Sequence, residues 1–370
     1  MDKTRLSKEQ SKYIYGIAIL MMVYHHLFVY PAGEEFPYYS VPDHLVFPGA
    51  GQRLAWVCRL CIPLYAFLSG YGLMSGVKKE ALALRRSASY LLQLYRAMLL
   101  RYFRFLLKFW LVFIVFVPLR LLLRVGTLID AKTFLLSLLG LSNAYNTEWW
   151  YIAQYLMMLL LFPLLQLFLA WLESLGVYVR KQFPRVRRWH FGILWCAAGL
   201  LFLLFRNAPV FSFLIRLLDN GRFVFTLVFF AGMICAGFQL FELLRETPVE
   251  KLVPALGVLL VAGSLALRWL KTTDATYTKY DAFITAPLVF GLNASSGLLP
   301  PLKRVISFLG EHSTYMWLTH TFFCTYYFRS LIFMPGVSTL VFGLTVIVSL
   351  VTAVLLGWCY ERIAALRKPA

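Results

Sequence analysis

Residues 11–30 of this 370-residue chain read SKYIYGIAILMMVYHHLFVY. The stretch is long enough to cross the hydrocarbon core of a bilayer as an α-helix, which takes about 20 mostly apolar residues. Similar stretches recur along the whole chain, and 60% of the residues are hydrophobic, with a mean hydropathy of +0.70. A water-soluble core does not need that much apolar surface. We therefore expect an all-α, polytopic integral membrane protein that has the bilayer as its main solvent.

The apolar stretches predict about ten transmembrane helices. In order, they cover residues 13–30, 56–76, 105–123, 149–171, 191–206, 222–241, 253–270, 282–298, 311–330 and 339–360. The series shows no internal repeat, so residues 1–370 are interpreted as a single transmembrane domain. The first span follows a polar segment and lacks a small-residue cleavage site, which favours a retained helix over a removed signal peptide.

Basic residues predict the orientation of these spans. If the N-terminus is cytoplasmic, the inner segments contain 24 of the 36 lysine and arginine residues, and the positive-inside rule then places both termini in the cytoplasm. The formal net charge of +19 is explained by this topology, so we predict no nucleic-acid partner. Segment 78–104 has basic and apolar residues at helical spacing, which indicates an amphipathic helix lying on the inner leaflet.

Two adjacent histidines, His25 and His26, lie inside the first apolar span. His26 is about 13 residues from the inner boundary, roughly 20 Å at 1.5 Å per residue, and therefore in the outer half of the bilayer. An ionisable side chain there is unfavourable unless it faces a cavity or a partner, which favours a functional role over a neutral histidine in helix packing. Tyr15 and Lys12, 11 and 14 residues earlier, lie near the same helical face. His25 is turned away by about 100° and fits a packing or supporting role.

Further residues are candidates for chemistry, each with a structural alternative. Arg101 and Arg104 share one helical face at the cytoplasmic start of the third span, where they would bind a phosphate or contact lipid headgroups. Arg59 would either extend to the outer interface or donate to an oxyanion. Glu148 lies at the outer start of the fourth span. It would either be solvated or point into an outer cavity as a polar partner. His320 lies roughly 14 Å along the ninth span and would line the cavity of the first-span histidines or serve in packing.

Small and sulfur-containing residues have structural interpretations. Ser69, Gly72 and Gly76 in the second span are expected to let another helix approach closely. All six cysteines fall in apolar stretches and are interpreted as small buried hydrophobic residues. Cys58 and Cys61 have no second pair or nearby histidines to complete a zinc site, so we predict no metal centre.

In this order, several of these motifs resemble those of acyltransferase family 3, the polytopic membrane acyltransferases that modify bacterial surface sugars and peptidoglycan. The resemblance covers nearly the whole chain, and its specificity comes from five weak motifs in sequence. They are Gly16-Ile-Ala-Ile-Leu with His25-His26, Arg59-x-x-x-Pro63 with Phe67-x-Ser69-Gly70-Tyr71, Arg101-x-x-Arg104, Trp149/Trp150-Tyr-Ile, and Ser313 with Trp317-Leu-x-His320.

The resemblance implies transfer of an acyl group, usually acetyl, from cytoplasmic acyl-CoA to a hydroxyl of a cell-envelope glycan or lipid-linked sugar at the bacterial cytoplasmic membrane. His26 matches the family's essential histidine and is the expected general base, with a covalent acyl-histidine as a less favoured variant. Arg101 and Arg104 match the family's paired arginines and would bind the donor's phosphates. The family usually has Lys or Arg eleven residues before the histidine. This chain has Tyr15 there, so either Lys12 takes over or the donor's entrance differs.

The expected ligands are thus acetyl-CoA as a donor substrate, a sugar acceptor and the lipid bilayer, with no permanently bound cofactor. A proton-coupled transporter or flippase is the first alternative, with His25, His26, Glu148 and His320 as its path. The sequence shows neither an inverted repeat nor a matched pair of broken helices in its favour. A non-catalytic scaffold or sensor would not account for the deep histidines. No particular oligomeric state is indicated.

Overall fold

The structure is a computed structural model that describes residues 6–29, 49–77, 88–123, 130–183, 185–187, 190, 192–194, 196–198, 201, 223–242, 252–270 and 279–366. These residues are largely helical and include no β-strand, which confirms the all-α class. Their α-helices are α1 (Lys8–Phe28), α2 (Ala50–Cys58), α3 (Cys61–Ser75), α4 (Ala88–Leu122), α5 (Ala131–Leu138), α6 (Trp150–Gln182), α7 (Phe223–Gly237), α8 (Val253–Leu270), α9 (Lys279–Ser295), α10 (Pro300–Thr321), α11 (Arg329–Phe333) and α12 (Ser338–Leu366). Two 3₁₀ turns span Thr147–Trp149 and Leu240–Glu242, and a π-helical turn spans Phe322–Tyr326.

Five helical segments in the described part of the chain are long and apolar enough to cross a membrane. They are Ala50–Ser75, Ser89–Arg120, Thr147–Gln182, Val253–Leu270 and Ser338–Ala365, and Val224–Gly237 is a shorter apolar helix. The protein is therefore a membrane protein, whereas the number of ten spans and the cytoplasmic termini stay predictions. Helix α1 is long enough, with 21 residues, but its polar side chains make it less apolar than these five segments. The predicted span 191–206 lies largely outside the described residues.

The amphipathic helix predicted for segment 78–104 differs from the observed structure. Residues 78–87 lie outside the described part, and residues from Ala88 onward belong to α4, which continues for 35 residues to Leu122. A helix of that length measures about 52 Å, well beyond a hydrocarbon core of roughly 30 Å. No helix breaker separates the polar half from the apolar half, so both belong to one continuous helix.

The chain divides into two compact units. The first comprises Met1–Ile14, Leu60–Arg96 and Leu160–Ser307. Within it, α3 packs against α7 at two glycines: a Cβ atom at Gly70 would collide with the Phe229 carbonyl, and one at Gly232 with the Phe67 carbonyl. The expected contact at Gly72 was wrong, because nothing lies within 4 Å of a Cβ atom built there. The close approach uses Gly70, two residues earlier in the same span.

A second helix pair of this unit, α8 and α9, is held by small residues and a buried ion pair. Cβ atoms at Gly257 and Gly291 would each lie within 3 Å of the other glycine's carbonyl oxygen. Arg268 Nε lies 2.8 Å from Asp281 Oδ1, and both side chains are buried. Because an isolated charge in an apolar environment is highly unfavourable, the two residues stabilise the hairpin only as a pair.

The second unit comprises Tyr15–Arg59, Ala97–Leu159 and Phe308–Ala370. Its apolar core joins the C-terminal end of α1 to α2, the π-helical turn, α11 and α12. The buried members are Val23, Leu27, Phe28, Val29, Ala55, Cys324, Ile332, Phe333 and Val341. The two first-span histidines project from the same stretch of α1, so this packing fixes the backbone that carries them.

Candidate active site

His26 lies at the centre of a polar cluster in the second unit. Its Nδ1 is 2.7 Å from Nε2 of His320, and its Nε2 is 3.1 Å from Oε2 of Glu148. The three side chains come from α1, α10 and the 3₁₀ turn before α6. Three candidates from distant parts of the sequence are therefore in direct contact.

Backbone carbonyls determine which ring nitrogen of His320 carries the proton. His320 Nδ1 lies 3.1 Å from the Met316 oxygen and 2.9 Å from the Trp317 oxygen, and a carbonyl can only accept. Nδ1 therefore donates, and Nε2 of the neutral ring accepts from His26 Nδ1. Because His320 is fully buried, an extra positive charge is much better placed on the neighbouring ring than on His320 itself.

The same logic places a proton between His26 and Glu148. With Nδ1 of His26 donating to His320, a neutral His26 would direct the lone pair of Nε2 at a carboxylate oxygen 3.1 Å away. Two acceptors at this distance repel each other, so a shared proton is required. The resting cluster is a line of three groups in which His26 donates to His320 and shares a proton with Glu148.

The 3₁₀ turn that carries Glu148 is tied to the segment around His320. Asn146 is the bridge: its Oδ1 accepts from the Glu148 amide at 3.0 Å, and its Nδ2 donates to Thr321 Oγ1 at 2.7 Å. On one side, the Thr147 amide donates to the Tyr326 hydroxyl at 2.9 Å. On the other, Trp149 Nε1 donates to a backbone carbonyl of α10, at 3.1 Å. These bonds fix the backbone of Glu148 relative to the His320 ring.

Asn146, Thr321 and Tyr326 support the site but were not predicted from the sequence. Each bond joins residues 175 or more positions apart, for which a single sequence has no local signal. One clue was available at the Asn146 end, because Asn is a favoured capping residue directly before a helical turn. Another is visible only in the backbone: the π-helical turn follows His320 directly, and such turns are frequent at functional sites.

His25 has a different environment from His26. It is buried, and its Nδ1 lies 2.7 Å from the backbone oxygen of Ala55 in α2. Its ring also meets Trp56 edge to face, with centroids 5.8 Å apart. This agrees with the packing or supporting role expected from its position on the helix. Any direct catalytic role of His25 stays a prediction.

Arg59 ends α2 and is placed next to this packing. Its guanidinium lies over the Trp56 ring, 5.5 Å from the ring centroid, and Trp56 in turn contacts His25. The cation–π contact keeps the charge near the histidine-bearing end of α1. The expected oxyanion role of Arg59 stays a prediction.

Arg101 and Arg104 belong to the second unit but lie away from the histidine cluster. Both are exposed on one face of α4, and Arg101 Nε donates to the Tyr155 hydroxyl at 3.1 Å. Tyr155 is seven residues beyond Glu148, which corresponds to roughly 10 Å along α6. The arginines are thus separate from the histidine cluster but connected to the helix that begins beside it.

Aromatic rings lie between the arginine pair and the histidine cluster. Phe105, one turn above Arg101, packs on Tyr155 and Trp317 at centroid distances of 5.6 and 6.1 Å. Trp317 also contacts Tyr151, at 5.7 Å, and its carbonyl accepts from the His320 ring. We call these four rings the aromatic wall: Phe105, Tyr151, Tyr155 and Trp317.

Lys12 and Tyr15 lie lower on α1 and are both half-buried. Tyr15 is about 16 Å from His26 along the helix axis, so it does not belong to the histidine cluster. Ile19 and Met22, on the face between them, are buried. Whether Lys12 serves the donor in place of Tyr15 stays a prediction. Within the described part of the chain, no group of three or more His, Cys, Asp or Glu side chains is arranged to hold a metal ion.

The two ring nitrogens of His26 have different surroundings. One nitrogen is held by a buried partner, and the other points to the more accessible side, where His26 and Glu148 retain 15% and 26% of their side-chain exposure. Such an imidazole can remove a proton from a hydroxyl nucleophile once the accessible nitrogen is unprotonated and released from Glu148.

Comparison with known proteins shows the family to which the chain belongs. No curated protein and no solved structure matches the chain significantly. The family model described as an acyltransferase domain, that of acyltransferase family 3, matches residues 12–358 and so includes every candidate residue discussed above. This confirms the resemblance predicted from the motifs. The chain belongs to acyltransferase family 3, and the protein is a membrane acyltransferase that transfers groups other than aminoacyl groups.

Proposed function

We propose that the protein transfers an acetyl group from cytoplasmic acetyl-CoA to a hydroxyl of a cell-envelope glycan or a related lipid-linked sugar. The reaction would take place in the bacterial cytoplasmic membrane, with both termini of the chain in the cytoplasm. The observation that carries the proposal is the position of His26 between a buried histidine and an accessible carboxylate, in a chain that belongs to an acyltransferase family.

His26 acts as the general base in this mechanism. Its Nε2 takes the proton of the acceptor hydroxyl while the hydroxyl oxygen attacks the thioester carbonyl carbon. The tetrahedral intermediate then loses the CoA thiolate, which recovers the proton from Nε2. His320 holds Nδ1 throughout and keeps the ring in the required orientation, the task of the third residue in a catalytic triad. Arg59, or a backbone amide, stabilises the oxyanion.

Arg101 and Arg104 bind the nucleotide phosphates of the donor. Their exposure and their common face on α4 support this role, because two guanidinium groups can each form bidentate bonds to phosphate oxygens. The aromatic wall runs from Arg101 toward the histidine cluster and offers an apolar surface to the extended pantetheine arm. Positioning the thioester in this way would raise its effective concentration at His26.

The alternative of a proton-coupled transporter or flippase has less support. Family membership favours an enzyme. The contacts of His26, His320 and Glu148 are also explained without a transport path, because together they form one closed group with the shared proton.

Acetyl transfer can be tested with the full chain purified in detergent or nanodiscs. Radiolabelled acetyl-CoA is incubated with envelope glycan extracted from the expression host, and label in the glycan is counted. We expect His26→Ala to lower transfer by about 10²- to 10⁴-fold, the usual contribution of a general base. Arg101→Ala should lower transfer at limiting donor concentration.

Two exposed residues provide matched controls: His190→Ala for the histidine and Arg185→Ala for the arginine. Both controls should transfer label like the wild type. Wild-type activity in His26→Ala at equal protein abundance would refute the proposed base. Uptake of substrate into proteoliposomes without any labelled glycan would instead support the transporter.

A further inference from the structure

The resting cluster leaves His26 without a free lone pair. Nδ1 donates to His320 and Nε2 shares a proton with Glu148, so neither nitrogen can accept a proton from a hydroxyl. One of the two partners must therefore leave before the base can act. The structure indicates which one is able to move.

His320 is held in place on all sides. It is fully buried, both of its ring nitrogens are engaged, and two carbonyls of α10 fix Nδ1. Glu148 is different, since its side chain is 26% exposed. In the described part of the chain, its carboxylate has two polar contacts: Nε2 of His26, and the Thr147 hydroxyl at a long 3.4 Å.

The backbone of Glu148 does not need to move with its side chain. Asn146 holds the Glu148 amide, and the neighbouring residues Thr147 and Trp149 are bonded to the segment around His320. Rotation about the side-chain bonds of Glu148 is therefore sufficient to uncover Nε2. Such rotations are fast compared with typical enzymatic turnover.

We propose that Glu148 is a cover over the catalytic base, displaced only when the sugar acceptor binds, and that it thereby suppresses hydrolysis of the acyl donor. This inference rests on the proposed function. Glu148 leaves with the shared proton, as a carboxylic acid, so that Nε2 keeps its lone pair for the acceptor hydroxyl that takes its place. The carboxylic acid then donates a hydrogen bond to a neighbouring hydroxyl of the same sugar. A single water molecule lacks the remote binding contacts with which a glycan offsets the loss of the Glu148–His26 bond.

The suppressed side reaction is hydrolysis of acetyl-CoA by water. The oxygen of water attacks the thioester carbonyl carbon while His26 Nε2 takes one water proton. The C–S bond then breaks, and the CoA thiolate recovers that proton. The products are acetate and the free thiol of CoA, and no further reactant is consumed.

The test measures acetate release from radiolabelled acetyl-CoA by the purified full chain without acceptor, and label transfer to extracted envelope glycan in parallel. In Glu148→Ala, acetate release should rise by roughly tenfold, the factor expected for loss of one typical hydrogen bond. Transfer should not rise with it, so the ratio of hydrolysis to transfer increases. Release should disappear in the double variant His26→Ala/Glu148→Ala, because the same base is used.

Glu148→Gln keeps the size of the side chain and, as a neutral cover, should give acetate release between wild type and Glu148→Ala. Glu361→Ala, at an exposed position on α12, is the matched control and should behave like the wild type. Equal loss of hydrolysis and transfer in folded Glu148→Gln, as in His26→Ala, would overturn the proposal and make Glu148 an orienting residue. An unchanged ratio in both Glu148 variants would also overturn it. Failure of the wild type to transfer label would refute the proposed function itself.

Discussion

Replacing Asn146 by alanine tests whether the link between the Glu148 turn and α10 positions the catalytic groups. The substitution removes two hydrogen bonds: a partly buried one from the Glu148 amide to Oδ1, at 3.0 Å, and a buried one from Nδ2 to Thr321 Oγ1, at 2.7 Å. Each is expected to contribute about 1 kcal/mol net, and the buried hydroxyl and amide lose a partner, so unfolding should become easier by about 2–3 kcal/mol. We expect the turnover rate to fall by roughly tenfold, since the segment after His320 loses a tie and the His320 ring no longer orients His26 correctly.

Two variants separate the two bonds of Asn146. Thr321→Val removes only the bond to α10 and should lower the unfolding free energy by about 1 kcal/mol. Asn146→Asp keeps the acceptor for the Glu148 amide, but places a second carboxylate beside Glu148. Its turnover should fall although the cap remains, because the Asp side chain cannot donate to Thr321.

The assay combines thermal unfolding of the purified protein, followed by tryptophan fluorescence, with donor-saturation kinetics. A positioning role requires kcat to fall while KM for acetyl-CoA stays near the wild-type value, because the arginine pair is untouched. The double variant Asn146→Ala/Thr321→Val should show a coupling energy of at least about 0.5 kcal/mol between the two sites. The reasoning is refuted if the two changes are additive, or if Asn146→Ala has wild-type stability and kcat.

Three further predictions concern other parts of the molecule. Gly70→Ala should destabilise the protein by about 1–3 kcal/mol because the new Cβ meets a backbone carbonyl, whereas Gly72→Ala, with open space, should be nearly neutral in thermal unfolding. Arg268→Ala should destabilise by about 3–5 kcal/mol through the uncompensated charge of Asp281, and the double alanine variant should recover part of the loss. Arg101→Ala should raise KM for acetyl-CoA by roughly ten- to a hundredfold with little change in kcat, whereas a kcat effect alone would contradict phosphate binding.

The sequence predicted the class of the fold better than its helix boundaries. Apolar stretches of membrane-spanning length indicate helices independently of the neighbouring segments, because a helix satisfies its backbone hydrogen bonds within one segment and the bilayer core offers no water to do so. The position where a helix ends depends on caps and breakers, and α4 has none between its polar and apolar halves. It therefore continues through the boundary that composition suggested.

The candidate site was predictable to the extent that its members are unusual in their surroundings. His26, His320 and Glu148 stand out as ionisable residues in or beside apolar spans, and helical phase separates His26 from His25. Their mutual contacts, and the bridge made by Asn146, were not predictable because they depend on how distant helices pack.

Polar partners in the structure offset the unfavourable placement of the histidine pair in an apolar span. An unpartnered imidazole in an apolar span is unfavourable, but each ring here has its polar partners: Ala55 for His25, two carbonyls for His320, and a ring and a carboxylate for His26. Burial alone therefore does not show that these residues are catalytic. What distinguishes His26 is that one of its two bonds goes to a partner whose side chain is partly exposed. A displaceable carboxylate beside the accessible nitrogen has no use for a histidine that serves only in packing. It is useful for a general base that should react only when the acceptor is bound.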